Sequence, residues 1–354
     1  MKIGILTFHR AHNYGAVLQC YALQEVLKGM GHEVEVIDYR QPAIDRAYNS
    51  WRFRWFINKF VKIWKMYDYL HLLYEEGKRR HKFGGFLKNY LNVQHPCTSV
   101  DIPNNYDYYV IGSDQLFNIE LTNGLDPVYS GESINGNGPK LIGYAISSNQ
   151  KSIRKIGKDN WNSIFNNFTS ISFREKALAD LLYKLYGKEV NVCLDPTLLT
   201  DINTWNNIKS KKKIEKDCIV LYQVRWNEGE EDTLEEKAYQ LAKQTKANVI
   251  NLSNREYRVE EWVLYIKYAK CVVTSSFHAS VFALIFNRPL YSFVLNDGRD
   301  SRYVDLLNSV GASDCLKDLH DSISELPEMD FYTINKRLQF LRQDSFAYLN
   351  EQIK

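Results

Sequence analysis

The sequence predicts an α/β protein in which parallel sheets carry helices on both faces. Short apolar runs alternate along the chain with segments whose apolar residues recur at helical spacing. The alternation stops at a lysine-rich stretch, residues 206–216, and restarts after it. A length of 354 residues agrees with two domains. We therefore expect two Rossmann-like halves, residues 1–205 and 206–354, with a cleft between them.

The elements of the first half begin with a strand–helix–strand unit. Residues 2–8 are an apolar run, residues 14–29 have the apolar face of a helix, and residues 34–39 read as the second strand. Further apolar runs predict four more strands, at 108–111, 141–146, 170–173 and 190–194. Helical patterns lie between several of them, as parallel strands require.

The second half repeats this alternation. Strands are predicted at 217–224, 247–252, 271–275 and 289–294. Helices are predicted at 233–245, 258–270, 277–286, 300–309 and, as the C-terminal helix, 334–349. Because ligands of open parallel sheets bind beyond the carboxyl ends of the strands, the residues that follow each strand are the candidate site.

Composition excludes several classes of protein. Apolar residues make up 45% and charged residues 25%, as in globular proteins rather than disordered or fibrous ones. A net charge of +3 is too balanced for a nucleic-acid binder. The sequence shows no signal peptide, no run of ~18 apolar residues and no metal-ligand spacing. The 6 cysteines are dispersed and read as buried, reduced thiols, so we expect a cytoplasmic protein without metal.

Positive charge is concentrated in one region, which we interpret as a helical insertion at about 46–90. Between Arg46 and Lys88 the net charge is +8. On a helical wheel, residues 51–67 place aromatic and aliphatic side chains on one face and Arg and Lys on the other. This pattern suits an anionic membrane surface, a core helix with a solvated basic side or, less well, nucleic acid.

Polar residues follow the strands of the first half. The loop at 9–15 precedes a helix and contains Asn13 and Gly15, which fit either an anion site or an ordinary helix cap. Asp114 follows the strand at 108–111 and fits either an acid–base group or a turn cap.

Three later strand ends carry further candidates. Arg174 follows the strand at 170–173 and could hold a carboxylate or phosphate, or form a surface ion pair. Asp195, after the next strand, reads as a structural cap. Ser275, Ser276 and His278 coincide with the start of the helix at 277–286, the sharpest feature of the second half.

Six segments in order resemble the polysaccharide pyruvyl transferase family. They are ILTFHRAHNYGAVLQCYALQEVL at 5–27, YVIGSDQLFN at 109–118, GYAISS at 143–148, ISFREK at 171–176, VCLDPTLL at 192–199 and VVTSSFHASVFALIFNRPL at 272–290. The resemblance implies a GT-B-like fold, with two Rossmann-like domains facing across a cleft. It also implies a transferase that moves a pyruvate ketal group from phosphoenolpyruvate, the donor substrate, to two sugar hydroxyls, with no cofactor.

The same resemblance implies roles for these residues. His278 and Asp114 would be the acid and base, in an order left open. Arg174 would bind the phosphoenolpyruvate anion, with Ser275 and Ser276 beside it, and Asn13 and Gly15 would shape the acceptor side. The acceptor would be a saccharide of surface polysaccharide assembly, typically on a polyprenyl diphosphate. The segment 51–67 would then rest on the inner face of the cell membrane.

One position departs from the family pattern. Many members carry an Arg two residues before the His, where this chain has Ser276. Arg225, Arg299 or Arg302 could replace it from neighbouring strand ends. The departure keeps two alternatives open: a GT-B glycosyltransferase that uses a nucleotide sugar, and a non-catalytic saccharide-binding relative.

Overall fold

The computed structural model describes residues 1–49, 63–134, 138–224, 233–254, 257–296 and 300–354. The chain divides into two compact units. The first comprises Met1–Ser172 and Leu181–Lys188, and the second Phe173–Asp180 and Glu189–Lys354. The boundary expected after residue 205 therefore falls within the second unit.

The first sheet has seven strands in the order β3-β2-β1-β4-β5-β6-β7. Their bounds are β1 Lys2–Leu6, β2 Glu33–Tyr39, β3 Val93–Cys97, β4 Tyr108–Asp114, β5 Lys140–Ile146, β6 Ser170–Phe173 and β7 Asn191–Val192. The pairings described from β3 through to β5 are all parallel, as predicted. The parallel sheet confirms the predicted fold class for this part of the chain.

Helices connect these strands, as parallel pairing requires. They are α1 Tyr14–Gly29, α2 Pro42–Asn49, α3 Ile63–Tyr90, α4 Ile119–Thr122, α5 Gln150–Ile156, α6 Lys158–Asn167 and α7 Lys176–Tyr186. Most of the predicted amphipathic segment 51–67 lies outside the described residues.

Helix α1 illustrates how the local sequence determines these bounds. The Asn13 side chain accepts hydrogen bonds from the backbone N–H groups of Gly15 and Ala16, which satisfies two donors at the start of the helix. After its last turn the chain passes through Gly31 at φ +88°, a conformation that favours glycine. Asn13 thus caps the helix, which is one of the two roles, helix cap or anion site, that the sequence allowed for its loop.

The second sheet has five strands in the order β12-β11-β10-β8-β9. They are β8 Ile219–Tyr222, β9 Val249–Asn251, β10 Cys271–Thr274, β11 Leu290–Val294 and β12 Leu316–Asp318. Every neighbouring pair in this sheet is parallel. Its helices are α8 Pro196–Leu199, α9 Ile202–Asn206, α10 Leu234–Thr245, α11 Val259–Lys267, α12 Phe277–Ile285, α13 Ser301–Val310 and α14 Phe331–Gln352.

Apolar side chains of these strands are buried on both faces of the sheets. Each residue of β8 and β10 is buried, which accounts for their continuous apolar sequences. Ile219, Leu221 and Val273 pack against Leu234 and Leu241 of α10 in one core cluster. All six cysteines are also buried, as predicted.

The differences from the predicted elements lie at sheet edges and strand ends. The edge strands β3 and β12 were not predicted, because β3 contains His95 and Pro96 and β12 is three residues long. The strand expected at 190–194 is reduced to Asn191–Val192. Pairing at an edge is set by the neighbouring strand rather than by the apolar pattern of the edge strand itself.

Candidate functional site

Three predicted strand-end residues of the second unit form one buried cluster, which we call the Arg174–Asp195–His278 cluster. Arg174 Nη1 donates a hydrogen bond to Asp195 Oδ2 over 2.7 Å. His278 Nε2 lies 3.6 Å from the same carboxylate oxygen. The side chains of Arg174 and Asp195 are 4% and 0% exposed, and that of His278 is 12% exposed. The structure therefore brings together residues that are 21 and 83 positions from Asp195 in sequence.

Each member of the cluster is positioned by the end of a strand. Arg174 follows the last residue of β6, and Asp195 lies between β7 and α8. His278 is the second residue of α12, which begins three residues after β10 ends. Because these are short connections between regular elements, the side chains are held by a rigid scaffold.

The two carboxylate oxygens of Asp195 make different contacts. Its Oδ1 accepts hydrogen bonds from the Thr197 backbone N–H over 3.0 Å and from the Thr197 hydroxyl over 2.6 Å, so it caps α8 as predicted. Its Oδ2 faces Arg174 and His278. The sequence predicted only the helix-capping role of Asp195 and not its contacts with Arg174 and His278.

The electrostatics of Asp195 follow from these contacts. Burial alone would raise the pKa of its carboxyl, but the charge interactions with His278 and Arg174 and the hydrogen bond from Thr197 outweigh burial and lower the pKa below its ordinary value. Asp195 is therefore a buried carboxylate that remains ionised and balances the charge of Arg174.

Phe277 packs between the two basic members of the cluster. The Arg174 guanidinium carbon lies 4.6 Å from the centre of the Phe277 ring, a cation–π distance. The His278 ring meets the Phe277 ring edge to face, with centroids 5.0 Å apart. Arg174 Nε also donates to Glu175 Oε1 over 3.3 Å, so the guanidinium is fixed in one orientation.

The residues before α12 are buried as well. Ser275 and Ser276 are 1% and 6% exposed. The Ser276 backbone N–H donates to the Thr274 hydroxyl over 3.0 Å, and the Ser276 side chain makes no capping hydrogen bond within the described part of the chain. The N-terminus of α12 is thus close to Ser275, Ser276 and His278, and its backbone donors favour an anion.

A cavity of about 470 Å³ adjoins the cluster. Arg174, Asp195 and Phe277 form part of its wall, and Arg302 of α13 lines it too. Of the three arginines proposed to replace the missing family Arg, Arg302 is the one the structure places, because Arg225 and Arg299 lie outside the described residues.

Asp114 ends β4 in the first unit. Its backbone has φ +92°, which is unusual for a residue other than glycine, and its Oδ1 accepts from the Gln115 backbone N–H over 2.8 Å. The preceding Gly112 has φ +138°, and a Cβ there would lie 2.0 Å from the Tyr144 carbonyl oxygen of β5. The close approach of β4 and β5 thus determines where the partly exposed Asp114 lies.

A second charged cluster in the first unit was not predicted. Asp38, the second-last residue of β2, is buried, and its Oδ1 lies 3.0 Å from His9 Nε2. Arg10 donates to both oxygens of its carboxylate, over 2.8 and 2.5 Å, and Arg40 donates to one over 3.1 Å. Burial would raise the pKa of Asp38, but hydrogen bonds and charges from His9 and Arg10 lower it. The sequence signal was the pair of polar strand ends after β1 and β2.

The predicted acceptor residues lie close in sequence to two residues that contact Asp38. Asn13 and Gly15 follow the His9–Arg10 loop, and Gly15 donates its backbone N–H to Asn13 Oδ1 over 2.9 Å. The loop therefore places the cap Asn13 close in sequence to Arg10, which shares the Asp38 carboxylate with the partly exposed Arg40 that follows β2.

Within the described ranges no group of three or more His, Cys, Asp or Glu residues could hold a metal ion. None of the described helices is both long and apolar enough to cross a membrane.

A family model described as polysaccharide pyruvyl transferase matches residues 13–297. No curated protein sequence matches the chain.

Solved structures resemble the chain weakly. UDP-GlcNAc 2-epimerase from Methanocaldococcus jannaschii has a TM-score of 0.49 and 9% identity, over 97% of this chain and 93% of that one. A putative UDP-N-acetylglucosamine 2-epimerase from Listeria monocytogenes has a TM-score of 0.48 and 10% identity, over 98% and 90%. ADP-heptose lipopolysaccharide heptosyltransferase II from E. coli has a TM-score of 0.36 and 12% identity, over 98% and 100%.

The family match covers most of the chain. It includes Asn13, Asp114, Arg174, Asp195 and His278, all of which lie between residues 13 and 297. The two parallel sheets have the fold class predicted from the sequence. The chain belongs to the polysaccharide pyruvyl transferase family.

Proposed function

We propose that this protein transfers a pyruvate group from phosphoenolpyruvate to two hydroxyls of a saccharide during the synthesis of a surface polysaccharide. The observation that carries the proposal is the buried Arg174–Asp195–His278 cluster at the carboxyl ends of strands within the region that the family model matches. It combines a fixed cation, an imidazole and a helix N-terminus, which together suit an anionic donor.

The reaction balances without an external oxidant or reductant. Carbon 3 of phosphoenolpyruvate gains a proton and becomes a methyl group, while two sugar oxygens bond to carbon 2 and the carbon–oxygen bond to phosphate breaks. Of the two hydroxyl protons, one offsets the proton taken up at carbon 3 and the other leaves with phosphate. The step therefore needs a group that donates a proton and a group that accepts one.

His278 is the proposed acid. Its Nε2 lies 3.6 Å from the buried carboxylate of Asp195, and its ring packs on the edge of Phe277, so two contacts determine its orientation. A carboxylate that orients an imidazole is a recurring arrangement in acid–base catalysis. Asp195 acts in this proposal as a positioning residue.

The donor anion is assigned to the N-terminus of α12. Ser275 and Ser276 are buried beside this helix end, and Arg174 is held next to it by Asp195, Glu175 and Phe277. Fixing these donors before the substrate arrives lowers the cost of ordering them in the complex. Arg174 keeps its proposed role in binding phosphoenolpyruvate, and its ion pair with Asp195 adds a positioning role.

Asp114 is the proposed base. Its unusual backbone conformation at the end of β4 is a form of strain that proteins often retain at functional positions. Asn13 and Gly15 remain proposed residues of the acceptor side, and Arg225 of the donor side. We further propose a lipid-linked acceptor and a cytoplasmic protein that rests on the membrane surface through residues 51–67.

The experiment that tests the function is a product assay. The purified protein is incubated with phosphoenolpyruvate and a panel of neutral oligosaccharides, phosphate is measured enzymatically and ketal products are sought by mass spectrometry. We expect phosphate release that depends on the saccharide, and loss of both signals in the His278→Ala variant. A His95→Gln variant, which changes an exposed histidine of β3, is the matched control.

Other outcomes would separate the alternatives. Turnover of a nucleotide sugar in place of phosphoenolpyruvate would replace the proposal with glycosyl transfer. Saccharide binding without turnover of either donor would identify a non-catalytic relative. Phosphate release that is unchanged in His278→Ala would show that His278 is not the acid.

A further inference from the structure

The cavity of about 470 Å³ beside the cluster has a lining that the donor alone does not explain. Its wall comes from the start of α7, the chain around β7, and the facing sides of α13 and α14. Its volume is in the range of small-molecule sites, ~300–1,000 Å³. Of the residues to which we assign the donor, Arg174 lines the cavity, whereas Ser275, Ser276 and His278 do not.

The charge of the cavity wall is unfavourable for phosphoenolpyruvate. Five carboxylates line it against three cations: Glu175, Asp180, Asp195, Asp305 and Asp344 against Arg174, Lys176 and Arg302. Arg174 is already paired with Asp195, and Lys176 Nζ lies 3.1 Å from Asp180. The remaining wall is therefore net negative, and a trianionic ligand held wholly inside the cavity, away from the N-terminus of α12, would be repelled.

One carboxylate of the cavity wall, that of Asp305, has an oxygen that a hydrogen-bond donor of a ligand could satisfy. Its Oδ2 is buried and has no hydrogen-bond partner among the described residues. Burial, and then the negative charges of Glu175 and Asp180, raise the pKa of Asp305. A buried carboxyl oxygen without a donor destabilises the empty site, so a ligand that brings hydroxyl donors gains from contact with it.

The rest of the wall is largely apolar. Leu198, Leu306 and Leu341 line the cavity, and Phe277 presents an aromatic ring at the side nearest the cluster. A pyranose has C–H faces that pack on such side chains and hydroxyls that donate to carboxylates at its edge. A neutral sugar therefore matches both the apolar side chains and the carboxylates of the lining.

We propose that this cavity binds a neutral sugar unit of the acceptor saccharide, with Asp305 and Asp344 accepting its hydroxyl hydrogen bonds and Phe277 and the leucines packing on its apolar face. The role of this sugar as the acceptor rests on the proposed function, whereas the binding of a sugar in the cavity does not. Phe277 contacts both the cavity and His278, so a sugar bound here lies next to the proposed acid.

The test is saccharide binding without any donor present. Neutral methyl glycosides and disaccharides are titrated into full-length protein with labelled leucine methyl groups, and binding is located by the shifts of Leu306 and Leu341. We expect saturable shifts in the wild type. Asp305→Asn should weaken binding about tenfold, and Ser309→Trp, which narrows the cavity from an exposed position of α13, should abolish it.

A matched control is Asp314→Asn, which removes an exposed carboxylate that does not line the cavity. It should bind like the wild type. Saccharide-induced shifts that stay the same in both Asp305→Asn and Ser309→Trp would overturn the proposal, and so would cavity shifts caused by phosphoenolpyruvate or a simple amine but by no neutral sugar.

The failure of this proposal and that of the proposed function are distinguishable. If glycosides bind at Leu306 and Leu341 but no phosphate is released from phosphoenolpyruvate, the sugar site stands and pyruvyl transfer fails. If phosphate release depends on saccharide while Asp305→Asn and Ser309→Trp leave the KM for saccharide unchanged, pyruvyl transfer stands and the sugar site fails.

Discussion

The carboxylate of Asp195 lies 2.7 Å from Arg174 Nη1 and 3.6 Å from His278 Nε2, and its side chain is fully buried. One acidic residue thus links two basic residues that come from different strand ends. A buried charge is stable only when it is paired, so the Asp195 carboxylate and the Arg174 guanidinium depend on each other. This dependence makes the cluster sensitive to conservative substitutions.

The first prediction concerns the stability of the second unit. Asp195→Asn keeps an acceptor for the cap of α8 but removes the charge that balances Arg174, so we expect a loss of about 3–5 kcal/mol in the free energy of unfolding. Urea denaturation followed by circular dichroism measures it. Asp180→Asn removes a partner of the exposed Lys176–Asp180 pair and should change almost nothing. Equal effects of the two substitutions would contradict the account.

A second prediction follows from the lowered pKa of Asp195. The folded state binds the Asp195 proton more weakly than the unfolded state does, so the stabilisation is complete above the ordinary pKa of Asp, about 3.9, and is lost as pH falls below it toward the folded value. The difference in stability between wild type and Asp195→Asn should therefore narrow from pH 6 to pH 3. Denaturation at several pH values measures it, and a gap that widens on acidification would refute this reading.

The third prediction concerns the end of β4. Gly112→Ala places a Cβ 2.0 Å from the Tyr144 carbonyl oxygen at a φ of +138°, so we expect a loss of more than about 3 kcal/mol. Gly84→Ala in α3 is the control, because a Cβ there meets nothing within 4 Å. That control should be neutral or slightly stabilising. A Gly112→Ala protein as stable as wild type would show that β4 and β5 can separate at little cost.

The fourth prediction concerns Asp114 as a base. Asn tolerates a positive φ better than most residues, so Asp114→Asn should keep the fold while it removes the carboxylate. We expect kcat for saccharide-dependent phosphate release to fall about 100-fold or more, with the affinity for phosphoenolpyruvate unchanged. Steady-state kinetics together with a binding titration separates the two quantities. A normal kcat would show that Asp114 is not the base and that its carboxylate serves only to accept the hydrogen bond from the Gln115 backbone.

Much of the fold could be predicted from the sequence because the buried strands are continuous apolar runs. The strand at 170–173 was predicted with its observed bounds, and the helix from residue 277 was predicted to within one residue of its end. The edge strands β3 and β12 could not be, since their pairing depends on neighbours distant in sequence. The parallel α/β class was confirmed in both sheets.

The site was predicted in part. Arg174 and His278 were identified from their positions after strands, and the structure places both against Asp195. Asp195 was read only as a cap, because its local sequence, with Pro196 and Thr197 following, accounts fully for a helix start. Its second contact joins residues that only the folded chain brings together. Asp305 was missed for the same reason, since a carboxylate on a helix gives no sequence sign of the cavity that it faces.

The central claim is that phosphoenolpyruvate binds at the Arg174–Asp195–His278 cluster, and calorimetric titration with phosphoenolpyruvate tests it most directly. We expect saturable binding to the wild type and to Lys243→Ala, which removes an exposed cation of α10, and loss of binding in Arg174→Ala and His278→Ala. Circular dichroism of each variant establishes that it is folded. Binding that persists unchanged in both cluster variants, or no binding to the wild type at millimolar donor, would contradict the claim.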